Sequence, residues 1–233
     1  RDNIRGQAAQ ARDIIVDFVF SAAAKAFPAC FQEPGFKDYF MRLVDLGAPY
    51  AQDASRYAGM EWSQYALQHG NLQADNAFFW EDDAGEVDCG LIDWGGASRR
   101  SFVAAMSMSL ASMEGNLLAD NEEGLCKTFC EEYAREGGPQ VDPARLLKNF
   151  RLSRATSLQG DAGLIAGSVY PVVDRDTWLT IEDKMDPRCL NHWECRCFYL
   201  QIINNVLYHH QHWKAGFNMC DYLEKWIKEE GLS

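Results

Sequence analysis

Apolar residues recur three and four positions apart through the first part of the chain, as they do on one face of an amphipathic helix. This spacing predicts a helix over Asp2–Phe27, which Pro28 closes. It also predicts helices over Phe36–Leu46 and from about Ala51 to Gln68. Residues 1–68 are therefore expected to be helical.

The spacing changes after these leading helices. Ala77–Trp80 is a short aromatic run, Glu81–Gly85 has turn composition, and Val87–Ile92 is apolar again. Two short apolar runs on either side of a glycine-containing turn are typical of a β-hairpin. This stretch predicts two antiparallel strands.

Helical spacing returns after Ser101 and continues towards the end of the chain. The predicted helices are Phe102–Leu118, Glu122–Arg135, Pro143 to about Val169, Cys189–Trp213 and Cys220–Glu230. The whole pattern predicts an α+β fold that is predominantly helical and contains one short antiparallel β-hairpin.

Composition narrows the class of protein. Hydrophobic residues make up 47% of the 233 residues, which is enough for a substantial core, and the formal net charge is -12. A charge of this sign repels nucleic acid and anionic lipid, so neither is expected as a partner. The apolar stretch Ile14–Ala24 is too short to cross a bilayer, so we expect a soluble protein without a transmembrane segment.

The eight cysteines lack the regular spacing of a disulfide framework. They are interpreted as reduced, mostly buried thiols, which indicates a reducing intracellular compartment. A cluster of potential zinc ligands comprises Cys189, His192, Cys195 and Cys197. Their spacing does not supply two ligand pairs from separate knuckles, as structural zinc sites usually have, so buried thiols are the favoured interpretation.

The stretch with the most chemical information begins with the loop His69–Asn76 and ends, after the predicted hairpin, with Leu91–Gly95. It resembles the catalytic segment of the aminoglycoside phosphotransferase and choline kinase superfamily. In that family a loop His-Gly-Asp-Leu-His-Pro-x-Asn precedes a hairpin whose second strand ends in Ile-Asp-Trp or Ile-Asp-Phe. The positions that match are His69, Gly70, Leu72, Asn76, Ile92, Asp93 and Trp94.

The resemblance implies a role for each matched polar residue. Asn76 would supply an amide oxygen and Asp93 a carboxylate to the Mg²⁺ that bridges the phosphates of ATP, while His69 would brace the backbone of the loop. Asn71 stands where the family has its substrate-activating aspartate. An amide cannot accept a proton, so general-base help would be lost while orientation of a hydroxyl could survive. Activity is expected to be reduced or absent.

The resemblance extends from Phe36 to about Val169 and implies the large, C-terminal lobe of a protein-kinase-like fold. Residues 1–233 would form one such domain, with leading helices at 1–68, the catalytic-loop and metal-loop hairpin at 69–95, and a helical subdomain at 96–233. The family also leads us to expect a small lobe with a glycine-rich loop and a strand lysine, and residues 1–68 contain neither pattern. Either a longer chain carries that lobe, or the large lobe serves a non-enzymatic purpose.

Three functions remain open on the sequence. An active enzyme would transfer the terminal phosphoryl group of ATP to a small-molecule hydroxyl. A pseudokinase would instead serve as a structural or scaffold subunit that binds a protein partner. If the likeness is coincidental, the chain is an all-helical interaction domain, and pairing of the predicted hairpin strands distinguishes this last alternative from the other two.

Overall fold

Helices account for most of the chain, as the apolar spacing predicts. In a computed structural model, which describes residues 2–60 and 64–232, the α-helices are α1 (Asp2–Asp17), α2 (Phe36–Gly47), α3 (Ala51–Ala58), α4 (Phe102–Ser109), α5 (Gly115–Arg135), α6 (Pro143–Ser157), α7 (Gln159–Leu164), α8 (Arg175–Trp178), α9 (Pro187–Leu190), α10 (Trp193–Lys214) and α11 (Met219–Glu229). The strands are β1 (Tyr65–Gln68), β2 (Ala77–Glu81), β3 (Val87–Leu91) and β4 (Ser98–Ser101). Wider π-helical turns occupy Phe18–Ala22 and Ile165–Val169, and short 3₁₀ turns occupy Ala29–Gln32, Ala48–Tyr50, Ala74–Asn76 and Trp94–Gly96.

The described residues group into two compact units. The first, named the helical unit, comprises residues 2–54, 114–120 and 151–232. The second, named the hairpin unit, comprises residues 55–60, 64–113 and 121–150. That residues 1–233 form one large-lobe domain stays a prediction.

Aromatic side chains build the centre of the helical unit. Phe18 is fully buried, and its ring meets three others edge-on, those of Phe27, Tyr170 and Trp178, at centroid distances of 5.3, 5.6 and 5.2 Å. Edge-to-face pairs add about 0.5–1.5 kcal/mol each beyond the burial of apolar area. The wider turn that follows α1 buries both Phe18 and its neighbour Val19.

The helical unit also buries a chain of polar side chains from three helices. Arg154 of α6 donates to Oδ1 of Asn205 on α10 at 2.5 Å, and Nδ2 of Asn205 donates to the two carboxylate oxygens of Asp161 on α7 at 3.2 and 3.1 Å. Burial raises the pKa of Asp161 to about 7, against the hydrogen bond from Asn205 and the charge of Arg154, which lower it. Because each of these three side chains bonds to another of them, the chain of hydrogen bonds orients α6, α7 and α10 relative to one another.

Two antiparallel two-stranded sheets form the β part of the hairpin unit. Strands β1 and β4 pair Tyr65 with Ser101, and β2 and β3 pair Ala77 with Leu91. Phe102, at the start of α4, lies in the core of the same unit. Its ring is 5.0 Å from that of Phe129 and 4.7 Å from that of Tyr133, both on α5.

The predicted hairpin and the coarse fold class, α+β and predominantly helical, are confirmed, while a kinase-like large lobe stays a prediction. β2 and β3 pair in the expected antiparallel sense, and the chain is mostly helical with a small antiparallel β component. This pairing argues against the all-helical alternative. The β1–β4 sheet was not predicted, so the leading residues 1–68 and the subdomain 96–233 are not purely helical.

The predicted helix from Ala51 to Gln68 is wrong in its second half. Helix α3 ends at Ala58, directly before Gly59, and Tyr65–Gln68 is a strand. Residues 61–63 of that prediction lie outside the described residues. Local spacing favoured a helix, but pairing with β4, more than 30 residues later in the chain, overrode it.

Several other predicted helices have different boundaries. The one from Pro143 to about Val169 is divided into α6, α7 and the π-helical turn Ile165–Val169. The one over Asp2–Phe27 leaves α-helical geometry at Phe18, where the π-helical turn begins. The one over Phe102–Leu118 is two helices, α4 and α5, because the chain turns around Ser112 before Gly115. The one over Cys189–Trp213 is interrupted before α10 begins at Trp193.

All eight cysteines are free thiols, and the five buried ones are Cys126, Cys130, Cys189, Cys195 and Cys220. The prediction of mostly buried thiols is therefore confirmed. Burial raises the pKa of Cys195 to about 12, which makes its thiolate rare at neutral pH. None of the helices in the described part of the chain is long and apolar enough to cross a membrane.

We predict that Asp161→Asn gains stability relative to the native chain as the pH rises from about 4 to 7, by on the order of 1–4 kcal/mol. The native pKa of Asp161 is raised to about 7, so the stability that its protonated form contributes is fully present near the ordinary carboxyl pKa and is lost as the pH approaches 7. Urea unfolding of both chains across this range measures the difference.

His209 also titrates in this region, but its effect on stability is the same in the native chain and in Asp161→Asn and therefore cancels. Burial lowers the pKa of His209 to about 3, helped by the neighbouring charges of His212 and Arg154, so His209 costs stability as the pH falls in both chains. A difference between the two chains that stays constant over the range would contradict the prediction.

Candidate functional site

The candidate site residues lie at the base of the β2–β3 hairpin, which is the end opposite its turn. Beyond the Ala77–Leu91 pair, the backbone N–H of Ile92 donates to the carbonyl oxygen of Asn76 at 3.0 Å. This bond extends the pairing by one position and puts Asn76 and Asp93 at the same end of the hairpin. The antiparallel register alone brings together two residues that are 17 positions apart.

His69 closes the loop that precedes the hairpin. Its side chain is 3% exposed, and Nε2 lies 2.5 Å from the carbonyl oxygen of Ile92. The imidazole ring lies 4.8 Å from the ring of Trp94, whose Nε1 donates to the carbonyl oxygen of Leu91 at 3.2 Å. With Nε2 as the donor to Ile92, Nδ1 is a buried acceptor that has no hydrogen-bond partner among the described residues. His69 thus contacts the backbone on which Asp93 sits.

Asn76 has a fixed orientation. Its side chain is 8% exposed, and Nδ2 donates to the backbone carbonyl of Asn71 at 2.8 Å. Because that bond uses the amide nitrogen, the side-chain oxygen is left without a hydrogen bond to any described residue. The same Asn71 carbonyl accepts a bond from the N–H of Gln73 at 3.0 Å, so this oxygen accepts two hydrogen bonds within the loop.

Asn71 presents its side chain to solvent, next to this organised backbone. An amide at this position can donate and accept hydrogen bonds but cannot remove a proton at neutral pH. The site therefore holds no carboxylate at the position that the family resemblance assigns to the catalytic base.

Asp93 has an unusual backbone. Its φ of 60° and ψ of 57° are left-handed, and it is the one non-glycine residue with positive φ in the described ranges. Such a conformation costs about 1–2 kcal/mol for a residue with a Cβ, and it persists only where the surroundings hold it. The side chain is exposed and forms no ion pair within the part of the chain that the structure describes. Its carboxylate is free to bind a cation.

Gly70 and Gly96 bring two loops into direct backbone contact. Gly70 has a φ of +85°, and a Cβ built on it would lie 2.0 Å from the carbonyl oxygen of Gly96. Only glycine allows this approach without a shift of the backbone. The contact joins the loop of His69 to the turn that follows Asp93.

The arrangement offers two hard oxygen donors to a cation, an amide oxygen from Asn76 and a carboxylate from Asp93. This donor set suits Mg²⁺, which takes oxygen ligands and usually keeps water or phosphate oxygens in its remaining positions. A cluster of three or more His, Cys, Asp or Glu side chains that could hold a metal does not occur in residues 2–60 or 64–232. The zinc alternative near Cys195 therefore gains no support.

The chain matches no protein-family model, no curated protein and no solved structure. Evidence about its function comes from the residues of the site and their geometry.

Two contributors to the site were not predicted. The side-chain amide of Gln68 donates to the carbonyl oxygens of Arg100 and Ser101 at 3.0 and 2.7 Å, which ties the strand before His69 to β4. Gly96 provides the close contact to Gly70. The Gly95–Gly96 pair directly after the Asp-Trp motif was the only local signal for this contact.

We predict that Gly70→Ala destabilises the hairpin unit by about 2–5 kcal/mol, because it adds both left-handed strain and a clash with Gly96. The matched control is Gly85→Ala in the hairpin turn, where φ is +81° but an added Cβ meets nothing within 4 Å. The control should cost only the strain, about 1–2 kcal/mol.

Native-state hydrogen exchange measures the protection of the Ile92 amide in the two variants. This amide is informative because it donates across the base of the hairpin. Equal protection in the two variants would mean that the Gly70–Gly96 contact does not hold the site together.

Proposed function

We propose that this chain is a degenerate member of the kinase-like phosphotransferases and that it binds ATP with Mg²⁺ at the base of the β2–β3 hairpin. The observation that carries the proposal is the shared backbone of Ile92, which bonds Asn76 through its N–H and His69 through its carbonyl. His69 and Asn76, two residues of the matched motif, are thereby both hydrogen-bonded to a third, Ile92. A chance occurrence of the motif would not require this pairing.

Mg²⁺ would be held by the amide oxygen of Asn76 and the carboxylate of Asp93. The hydrogen bond from Nδ2 of Asn76 to Asn71 leaves the amide oxygen available, and Asp93 has an exposed carboxylate. When bound, the ion would neutralise charge on the nucleotide phosphates. His69 would keep the two loops at the spacing that this binding needs.

The residue at position 71 determines how fast the phosphoryl group of bound ATP would be transferred. The exposed amide of Asn71 would orient a small-molecule hydroxyl near the terminal phosphoryl group but would not deprotonate it. Positioning and charge neutralisation supply most of the catalysis in phosphoryl transfer, so slow transfer is compatible with this site. The proposed activity is nucleotide binding with weak transfer to a small-molecule hydroxyl.

We predict that ATP binds this chain only when Mg²⁺ is present and that Asp93→Ala weakens binding at least about tenfold, because half of the protein's oxygen donors are lost. Asp75→Ala is the matched control, since it removes an exposed carboxylate from the adjoining loop without touching either donor. Titration calorimetry with and without Mg²⁺ measures all three proteins.

The absence of Mg²⁺-dependent binding in this chain, and in any longer natural form of it, would overturn the proposal. If Asp75→Ala weakened ATP binding as much as Asp93→Ala, binding would depend only on the negative charge of this region and not on Asp93 as a ligand. Neither result would alter the antiparallel hairpin itself.

We predict that Asn71→Asp raises the rate at which ADP is formed from Mg²⁺-ATP by about 10²-fold or more. The reason is that the carboxylate would act as a general base for the hydroxyl acceptor. Glycerol serves as a hydroxyl-bearing acceptor in this assay, and Asn71→Ala is the control that removes the amide without adding a base. An unchanged rate in a variant that still binds Mg²⁺-ATP would argue against a site arranged for transfer.

The second candidate function is a pseudokinase that acts as a scaffold subunit. Asn71 favours it, and so does the exposure of large apolar side chains along the hairpin, among them Phe79 at 67%. Retention of Asn76 and Asp93, which a pure scaffold does not need, favours nucleotide binding.

A further inference from the structure

The two strands of the hairpin carry large apolar side chains in solvent. The exposed fractions are 51% for Phe78, 67% for Phe79, 41% for Trp80 and 71% for Val87. A hydrophobic residue that is exposed singly is ordinary, but four within one hairpin are a concentration of the kind that marks an interaction site. These four side chains, which are divided between the two faces of the hairpin, are together named the hairpin patch.

The register assigns these side chains to both faces of the hairpin. Phe78 and Trp80 lie on one face, where their rings stack at a centroid distance of 5.3 Å. The Phe78 ring also lies across Gly90, where a Cβ would come within 2.3 Å of it. Phe79, Val87 and Cys89 lie on the opposite face. Neither face of the hairpin is covered along most of its length, since β2 beyond Ala77 and β3 up to Cys89 are exposed.

The outer edges of the hairpin are also open. Within the described residues β2 pairs only with β3, so each strand has one row of backbone N–H and C=O groups without a strand partner. An isolated two-stranded hairpin is only marginally stable in water, and an open edge is a template for one more strand. A partner strand would supply what this hairpin lacks.

The charged residues of the chain segment that forms the hairpin are all acidic. Residues 64–98 contain no Lys or Arg, and their acidic residues are Asp75, Glu81, Asp82, Asp83, Glu86, Asp88 and Asp93. Four of these acids surround the hairpin turn, and Asp88 lies on β3 beside Trp80. Within the turn, Asp82 accepts from the N–H groups of Ala84 and Glu86 at 2.8 and 2.9 Å. Apolar side chains ringed by acids are complementary to a segment that is apolar and basic.

We propose that the hairpin binds an extended, basic segment of a partner protein, which adds a third strand to an outer edge. Alternate side chains of that segment would cover the hairpin patch, and its Lys or Arg side chains would face the acids of the turn. A second copy of this chain is a poor occupant because each copy carries a net charge of -12 and brings the same acids.

The acids proposed to face the partner are separate from the proposed ATP site. The acids cluster at the turn, whereas Asn76 and Asp93 lie at the opposite end of strands that are five residues long. Five residues at about 3.3 Å each put roughly 16 Å between the two ends. Loss of one binding activity therefore leaves the other testable, and the inference does not depend on the proposed function.

The test uses a fluorescently labelled octapeptide of alternating lysine and valine, titrated with this chain and followed by anisotropy. The expected result is saturable binding with one peptide per chain, weaker at high salt, and no binding of the matched peptide of alternating glutamate and valine. Absence of saturable binding by the lysine peptide would overturn the proposal.

Variants distinguish a specific surface from general attraction to an acidic protein. The triple change Glu81→Gln, Asp83→Asn and Glu86→Gln should weaken binding about tenfold, and so should Phe79→Ser with Val87→Thr. The matched control, Glu123→Gln with Glu131→Gln and Glu136→Gln, removes three exposed carboxylates from the same unit and should change binding less than about twofold. Equal weakening by the control would overturn the proposal.

Addition of a strand has its own signature. Methylation of alternate backbone nitrogens removes the N–H groups on one edge of the peptide, so one of the two possible methylation registers should abolish binding while the other is tolerated. Tolerance of both registers would exclude strand addition. Sedimentation of the free chain completes the test, because self-association that Phe79→Ser abolishes would assign the hairpin patch to a second copy instead.

Discussion

The backbone of Ile92 is the point on which the candidate site depends. Its N–H bonds the carbonyl of Asn76 at 3.0 Å, and its carbonyl accepts from His69 at 2.5 Å. One residue thus joins the end of the β2–β3 hairpin to the loops on both sides of it. The left-handed backbone of Asp93 directly follows this junction, and the contact between Gly70 and Gly96 joins the same two loops.

The two ends of the same hairpin differ in physical character. At the base, His69 and Asn76 are buried and hydrogen-bonded, and their backbone contacts limit movement. At the turn, aromatic and acidic side chains are exposed and share one sign of charge. Under the proposals above, the oxygen donors near Ile92 would bind a small ion and its phosphates, whereas the exposed edge would bind a polypeptide. The two proposed binding activities are compatible in one molecule, since they depend on different residues of the hairpin.

The helical unit follows a different principle. It buries Asp161, Asn205 and Arg154 in one chain of hydrogen bonds, and burial raises the pKa of the carboxyl group to about 7. Such a chain contributes less to stability than apolar packing of the same volume, but a helix that slipped along its neighbour would leave a buried polar group without a partner. The aromatic contacts of Phe18 provide the compensating apolar burial.

Sequence by itself determined the features that arise from neighbours in the chain. The apolar spacing of α2 and α11 and the apolar runs on either side of Gly85 are local, so the helices and the hairpin could be predicted, as could the position of Asn76 and Asp93 at one end of it. The tertiary structure decided what depends on distant partners. Strand β1 is strand only because β4 pairs with it, and Gly96 matters only because Gly70 approaches it. These contacts join residues more than 20 positions apart, and no local preference encodes them, because their free energy exists only once both segments are in place.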